Sequence, residues 1–257
     1  MTKTSLKSRL KSSSKCFGVF NSIPSTVAIE QLALAGYDFI IFDLEHSLHD
    51  MRDVESVLLA ASSASLDVLV RVPSGRLDLI APLLDAGATG IVAPMVETQS
   101  EAQALIERCY YHPYGKRGLN STRLNEYATR DLSQSLIEAN ERVVVVAMIE
   151  TTLGVENAAL IAATPGVDAL LEGAADLSQS LGMPWQTQHE DVRHAVTQIA
   201  DACEAQQCAF LAIPRTTQMM AFWQAKQVSN FVLGDDRSIL RNAHKAHIAE
   251  FKKELNK

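Results

Sequence analysis

Two carboxylates follow neighbouring apolar runs near the middle of the chain. Glu150 comes directly after the β-branched run 143–149, and Asp176 follows the run 167–171 through a Gly-Ala-Ala turn. A helical segment at about 154–163 separates the runs, so the pattern predicts a strand–helix–strand unit with parallel strands. Both carboxylates then lie at one sheet edge, where they can hold a hard cation, Mg²⁺ or Mn²⁺. The alternative for Asp176 is a helix cap.

Other predicted strand ends carry residues that could move protons or bind anions. His46 follows a strand together with Asp43 and Glu45, either of which could orient its ring, and we predict that His46 carries protons. Arg71 lies within an otherwise apolar strand, where a charge is costly unless it meets an anion. An anionic substrate would fill that need, and a structural ion pair with Asp43 or Glu45 is the alternative.

Eight short apolar runs alternate with helical segments, and this count predicts an α/β fold of the (β/α)8 TIM-barrel type. The runs are 16–20, 37–42, 68–72, 90–93, 143–149, 167–171, 209–213 and 230–233. Residues 1–15 form a polar segment, and residues 16–257 are predicted to form a single barrel domain with an extra C-terminal helix. The active site of such a barrel lies at the carboxyl ends of the strands, where the residues named above are found.

Composition excludes several classes of function. The chain has 257 residues and a formal net charge of −7, which argues against a general nucleic-acid binder. The sequence contains neither GxGxxG nor GxxxxGK[ST], the usual nucleotide-binding fingerprints. The four cysteines form no CxxC pair, and no apolar window reaches the length of a membrane span. We therefore expect a cytoplasmic protein that binds neither nucleic acid nor membrane.

Several motifs resemble the HpcH/HpaI family of metal-dependent class II 2-oxo-acid aldolases. They are GYDFIIFDLEH, VRVP, LLDAGATGIVAPMV, YHPYGKRG and GAADLSQSLG, and the likeness runs from about residue 18 to 234. The resemblance implies a homohexamer of TIM barrels, with the last helix exchanged between subunits. The site residues that it implies are His46 as the base, Arg71 as the pyruvyl-binding arginine, Glu150 and Asp176 as ligands of the divalent metal ion, Gly173, Ala174 and Ala175 as substrate-binding residues, and Asp43 as a further catalytic residue. Asp85 matches an aspartate that reaches a neighbouring subunit's site.

Other segments resemble a specialised branch of that family, the citrate synthases of staphyloferrin B-type siderophore biosynthesis. These segments are FNSIPS, LNSTR, EGAADLSQSLGMPWQTQ and VLGDDRSILR, and Glu172 stands where aldolases carry an apolar residue. The branch condenses oxaloacetate with acetyl-CoA, so these two substrates are expected. The alternatives are an aldolase that cleaves a 4-hydroxy-2-oxo acid to pyruvate and an aldehyde, and a non-catalytic 2-oxo-acid-binding protein.

The segment 111–123 departs from the aldolase pattern at its LNSTR end, which contains Arg123. Oxaloacetate has a second carboxylate that pyruvate lacks, and that group needs a partner beyond Arg71 and the metal ion. We therefore predict that Arg123 pairs with the distal carboxylate of oxaloacetate. A solvated loop arginine is the alternative.

Overall fold

Eight parallel strands close into a barrel in the computed structural model, which describes residues 4–255. The strands, in order around the barrel, are β1 (Cys16–Asn21), β2 (Phe39–Asp43), β3 (Asp67–Arg71), β4 (Gly90–Ala93), β5 (Val144–Ile149), β6 (Ala169–Glu172), β7 (Ala209–Ala212) and β8 (Asn230–Asp235). Each of the eight predicted runs overlaps one of them. The predicted TIM barrel is therefore confirmed.

Helices cover the outside of this barrel and close its lower end. They are α1 (Leu6–Leu10), α2 (Thr26–Leu34), α3 (Met51–Ser63), α4 (Ile80–Asp85), α5 (Gln99–Cys109), α6 (Leu132–Arg142), α7 (Thr152–Glu156), α8 (Ala158–Ala162), α9 (Ala174–Ser180), α10 (Glu190–Gln206), α11 (Thr217–Ala225) and α12 (Asp236–Leu255). Within residues 4–255, none of them is long and apolar enough to cross a membrane.

The segment between β4 and β5 holds more structure than the sequence predicts. Helix α6 buries two polar residues, Ser135 and Asn140, so its inward face gives no apolar periodicity. Before it, Glu126, Tyr127 and Ala128 all take left-handed backbone angles, with φ of 51°, 55° and 67°. Three such residues in succession, none of them glycine, form a tight reversal that apolar patterns cannot reveal.

Alternation along the strands decides which side chains enter the barrel. Ile41, Leu69, Met148 and other residues of the same parity fill its interior, and their neighbours pack against the helices. Asp43, Arg71 and Glu150 come two positions after Ile41, Leu69 and Met148, respectively. Their side chains therefore also face the interior of the barrel. The barrel interior is thus apolar below and charged at the carboxyl ends of the strands.

Helix α1 plugs the opposite end of the barrel. Leu6 and Leu10 are 1% and 2% exposed and belong to the interior cluster. Arg9 ties the helix to Asp38 and Asp67 at 2.6 and 2.7 Å. The N-terminal segment is polar overall, but its two leucines, Leu6 and Leu10, complete the core of the barrel.

We expect Leu10→Ala to lower the free energy of unfolding by roughly 2 to 5 kcal/mol, because it leaves a cavity at the base of the barrel. Chemical denaturation followed by circular dichroism measures this loss. Leu34→Ala is the matched control, since Leu34 is 88% exposed on α2. Equal stability of the Leu10 variant and the wild type would show that α1 does not close the core.

Candidate functional site

A cavity of about 630 Å³ opens at the carboxyl ends of the strands. Most of the predicted site residues line it together, namely Asp43, His46, Arg71, Glu150, Gly173, Ala174, Ala175 and Asp176. They come from the ends of β2, β3, β5 and β6, which the barrel brings to one rim. The rim is the position where TIM-barrel enzymes hold their reactive groups.

Arg71 and Asp43 form a bidentate pair inside this cavity. The guanidinium donates from Nε and Nη2 to the two Asp43 oxygens at 2.9 and 2.8 Å, and its Cζ lies 4.9 Å from the centroid of the Phe20 ring. Burial would lower the pKa of Arg71, but its bond to Asp43 and the charges of Asp43, Glu45 and Glu150 raise it overall. Arg71 therefore both pairs with Asp43 and lines the cavity, and its Nη1 faces Glu45 Oε2 at 3.5 Å and Met148 Sδ at 3.9 Å.

His46 lies at the mouth of the cavity. Its side chain is 59% exposed, and Nε2 is 3.8 Å from the nearer Glu45 oxygen. Asp43 accepts hydrogen bonds from the backbone N–H groups of Glu45 and His46, so it fixes the turn rather than the imidazole ring. Of the two acids considered for orienting the ring, Glu45 is the one beside it.

Glu150 is a buried carboxylate with one hydrogen bond. It is 2% exposed, and its Oε2 accepts the Met95 N–H at 2.8 Å. Met95 has a φ of 55°, so an unusual backbone conformation directs this donor at the carboxylate. Burial, followed by the charges of Glu45 and Asp176, raises the pKa of Glu150 to about 7, although the Met95 N–H and Arg71 oppose the shift. A cation beside Glu150 would relieve this cost.

Gly173 allows the two metal-ligand candidates to share the cavity. A Cβ at this position would lie 2.3 Å from Glu150 Cγ, so only glycine leaves room for the carboxylate. Asp176 follows in the first turn of α9 and lines the same space. Among the described residues, no group of three or more His, Cys, Asp or Glu side chains is arranged to hold a metal ion by itself. Two carboxylates with open neighbouring space suit Mg²⁺ or Mn²⁺ completed by water and substrate oxygens.

Two predicted residues lie outside the cavity of their own chain. Arg123 sits 3.6 Å from Glu55 of α3 and is not among the residues that line the cavity, so its pairing with a distal carboxylate stays a prediction. Asp85 ends α4 and accepts a hydrogen bond from buried Arg117, toward the opposite end of the barrel. A site for Asp85 in a neighbouring subunit remains a prediction.

The sequence profile of the HpcH/HpaI aldolase/citrate lyase family matches residues 17–235. The chain belongs to this family. It is 39% identical to a hydroxypyruvate/pyruvate aldolase of Paraburkholderia phytofirmans over 207 residues, 77% of this chain and 78% of that protein. A 5-keto-4-deoxy-D-glucarate aldolase of Salmonella arizonae is 30% identical over 240 residues, 92% of each chain.

Among solved structures of the family, the citrate synthase SbnG is similar to this chain with a TM-score of 0.91. The two are 37% identical, and the match covers 98% of this chain and 99% of SbnG. An HpcH/HpaI aldolase/citrate lyase family protein of Burkholderia cenocepacia matches with a TM-score of 0.90 at 32% identity, over 96% and 98% of the two chains. The HpcH/HpaI fold is thus shared along the whole chain.

Three residues that line the cavity were missed from the sequence. Arg215 follows β7, Arg237 lies in the first turn of α12, and Trp185 lies beyond α9 with 83% of its surface exposed. Trp185 stands at the mouth with a φ of 64°. The position of Arg215 just past a strand was the available signal, because strand ends form the rim of the barrel.

We expect Glu150→Gln to weaken Mn²⁺ binding by at least about tenfold, because it removes one of two charged ligands. The amide oxygen can still accept the Met95 N–H, so the fold should persist. Electron paramagnetic resonance titration with Mn²⁺ measures the affinity, and thermal unfolding checks the fold. Glu156→Gln on exposed α7 is the control. Equal Mn²⁺ affinity in both variants would contradict the assignment of Glu150.

Proposed function

We propose that this protein is a citrate synthase of siderophore biosynthesis that condenses oxaloacetate with acetyl-CoA to give citrate and CoA. The observation that carries this proposal is the similarity to citrate synthase SbnG along 98% of the chain. The cavity supports it as well, because Arg71, Arg215 and Arg237 provide cationic groups for a substrate with two carboxylates.

The reaction joins the methyl carbon of acetyl-CoA to the keto carbon of oxaloacetate. A proton leaves the methyl group, and the resulting enolate carbon forms the new bond while the keto oxygen becomes an alkoxide and then a hydroxyl group. Water next cleaves the thioester, so that its oxygen joins the acyl carbon and the departing sulfur takes a proton. The protein must therefore move a proton at the methyl group and stabilise negative charge at the keto oxygen.

His46 and Arg71 are the residues that we assign to these two tasks. His46 is exposed at the mouth, where the acetyl arm of a large solvent-borne thioester would arrive, and Glu45 lies beside its ring to stabilise the imidazolium. Asp43 holds Arg71 through Nε and Nη2, so Nη1, which lies 3.5 Å from Glu45 Oε2 and 3.9 Å from Met148 Sδ, is the nitrogen that we assign to the developing alkoxide. Because Asp43 holds the guanidinium, the Arg71 donor is already in position before the reaction starts.

Glu150 and Asp176 are the residues that would hold a divalent metal ion, Mg²⁺ or Mn²⁺. When bound, the ion supplies positive charge that polarises the keto group and orients the 2-oxo-acid end of the substrate. The turn of Gly173, Ala174 and Ala175 lies beside this pair and shapes the same end of the cavity.

We further propose a homohexamer in which α12 is exchanged between subunits and Asp85 completes a neighbouring site. Helix α12 carries apolar side chains that a single chain leaves open, with Ile248 and Phe251 exposed by 53% and 57%. Exposed apolar groups along one long helix favour association with another chain. Light scattering of the purified protein measures the assembly.

The second candidate is a class II aldolase that cleaves a 4-hydroxy-2-oxo acid to pyruvate and an aldehyde. The 39% identity to a hydroxypyruvate/pyruvate aldolase favours it. The two candidates separate in parallel assays: release of free thiol from acetyl-CoA with oxaloacetate, and release of pyruvate from a 4-hydroxy-2-oxo acid. We expect the first to be faster. Pyruvate release alone would support the aldolase, and binding without either turnover would indicate a non-catalytic protein.

Arg71→Lys should lower kcat/KM for thiol release at least about a hundredfold, or about 2.7 kcal/mol at roughly 1.4 kcal/mol per factor of ten. Lysine keeps the charge but cannot contact Asp43 with two nitrogens while a third meets the substrate. Arg76→Lys is the control, because Arg76 pairs with Asp78 on the exposed surface. An Arg71 variant within about threefold of wild type would leave Arg71 a structural role only.

A further inference from the structure

Glu172 is a fully buried carboxylate at the end of β6. It is 0% exposed and has the outward parity of Leu170, so it points away from the barrel interior toward the loop that follows β7. Its Oε1 accepts the Ile213 N–H at 2.7 Å, and its Oε2 lies 3.2 Å from Arg215 Nη1. Burying a charge at this depth is costly unless it is paired, which indicates a role for the pair beyond stability.

The pair holds Arg215 at the cavity. Nη1 of Arg215 also donates to the Ile213 carbonyl at 3.1 Å, so this nitrogen is fixed by two acceptors. Among the described residues, Nε and Nη2 of Arg215 donate no hydrogen bond, and the side chain remains 28% exposed while it lines the cavity. An arginine fixed at one nitrogen and open at the others can grip an anion.

The location of Arg215 matches the second carboxylate of a 2-oxo diacid. β7 stands next to β6, whose end leads to Asp176, and opposite β3, which carries Arg71. A substrate whose keto end meets Asp176 and Arg71 therefore extends its far end toward β7. Arg237 also lines the cavity, but within residues 4–255 no buried acid pairs with it, and Arg123 faces Glu55.

We propose that Arg215 recognises the distal carboxylate of oxaloacetate and that Glu172 is the positioning residue that holds Arg215 in place. This inference rests on the proposed function for the identity of the diacid. It accounts for the buried carboxylate at 172, whose two oxygens hold the Ile213 N–H and the Arg215 guanidinium beside the cavity.

Binding of oxaloacetate and pyruvate tests this proposal, because the two acids differ only in the distal carboxylate. Calorimetric titrations with Mg²⁺ present compare the wild type with Arg215→Ala. Loss of a charge-assisted hydrogen bond should weaken oxaloacetate binding by about 10- to 100-fold and leave pyruvate binding within about twofold. Arg130→Ala is the control, since Arg130 pairs with Glu138 at a similar exposure, away from the cavity.

Glu172→Gln tests the positioning role and keeps an acceptor for the Ile213 N–H. We expect weaker oxaloacetate binding and a raised KM for oxaloacetate, with kcat little changed. In the double variant with Arg215→Ala, the Glu172 substitution should cost nothing more, because its effect passes through Arg215. Fully additive losses would overturn the positioning role, and thermal unfolding identifies a variant that fails to fold.

Equal losses for both acids in Arg215→Ala, or none, would overturn the assignment of Arg215. Loss of the oxaloacetate preference in Arg123→Ala instead would return the role to Arg123. These titrations do not require turnover, so they stay informative if thiol release is absent. A selective loss of oxaloacetate binding without thiol release would retain Arg215 and reject only the citrate synthase reaction.

Discussion

The site depends on the bidentate pair of Arg71 and Asp43 at the carboxyl end of the barrel. A guanidinium that is only 7% exposed must be paired, and Asp43 meets this need through two nitrogens at 2.9 and 2.8 Å. Burial would raise the pKa of Asp43, but the bonds from Arg71 lower it below its usual range. The pair therefore stays charged, and the third guanidinium nitrogen, Nη1, lies 3.5 Å from Glu45 Oε2.

A second buried pair, Glu172 with Arg215, repeats this design on the other side of the barrel. In each case a buried carboxylate at a strand end pairs with an arginine that lines the cavity. Burying the carboxylate costs free energy, and in return the arginine side chain is held in one position. Glu150 and Asp176, which follow β5 and β6, line the cavity between these two pairs, and a cation there would relieve the cost of the buried Glu150 charge. Arg71, Arg215 and the two carboxylates thus line one cavity, and this arrangement suits an extended ligand with two carboxylates.

Much of this arrangement could be predicted from the sequence, because it follows from strand parity. Asp43, Arg71 and Glu150 continue rows of inward apolar residues, and a closed parallel barrel brings such rows to one rim. The exceptions share one cause. The Met95 N–H reaches Glu150 through a left-handed backbone, and Arg215 gains its meaning from Glu172, 43 positions earlier. Apolar periodicity carries no information on such polar pairings between distant residues. For the same reason, the sequence predicts Arg123 rather than Arg215 as the partner of the distal carboxylate.

A crystal structure of the protein with Mg²⁺ and oxaloacetate tests the account most directly. The account predicts the ion between the Glu150 and Asp176 carboxylates, the keto oxygen within hydrogen-bond distance of Arg71, and the distal carboxylate against Arg215. The same ligand with its distal carboxylate in solvent or against Arg123, or an ion bound away from Glu150, would contradict it.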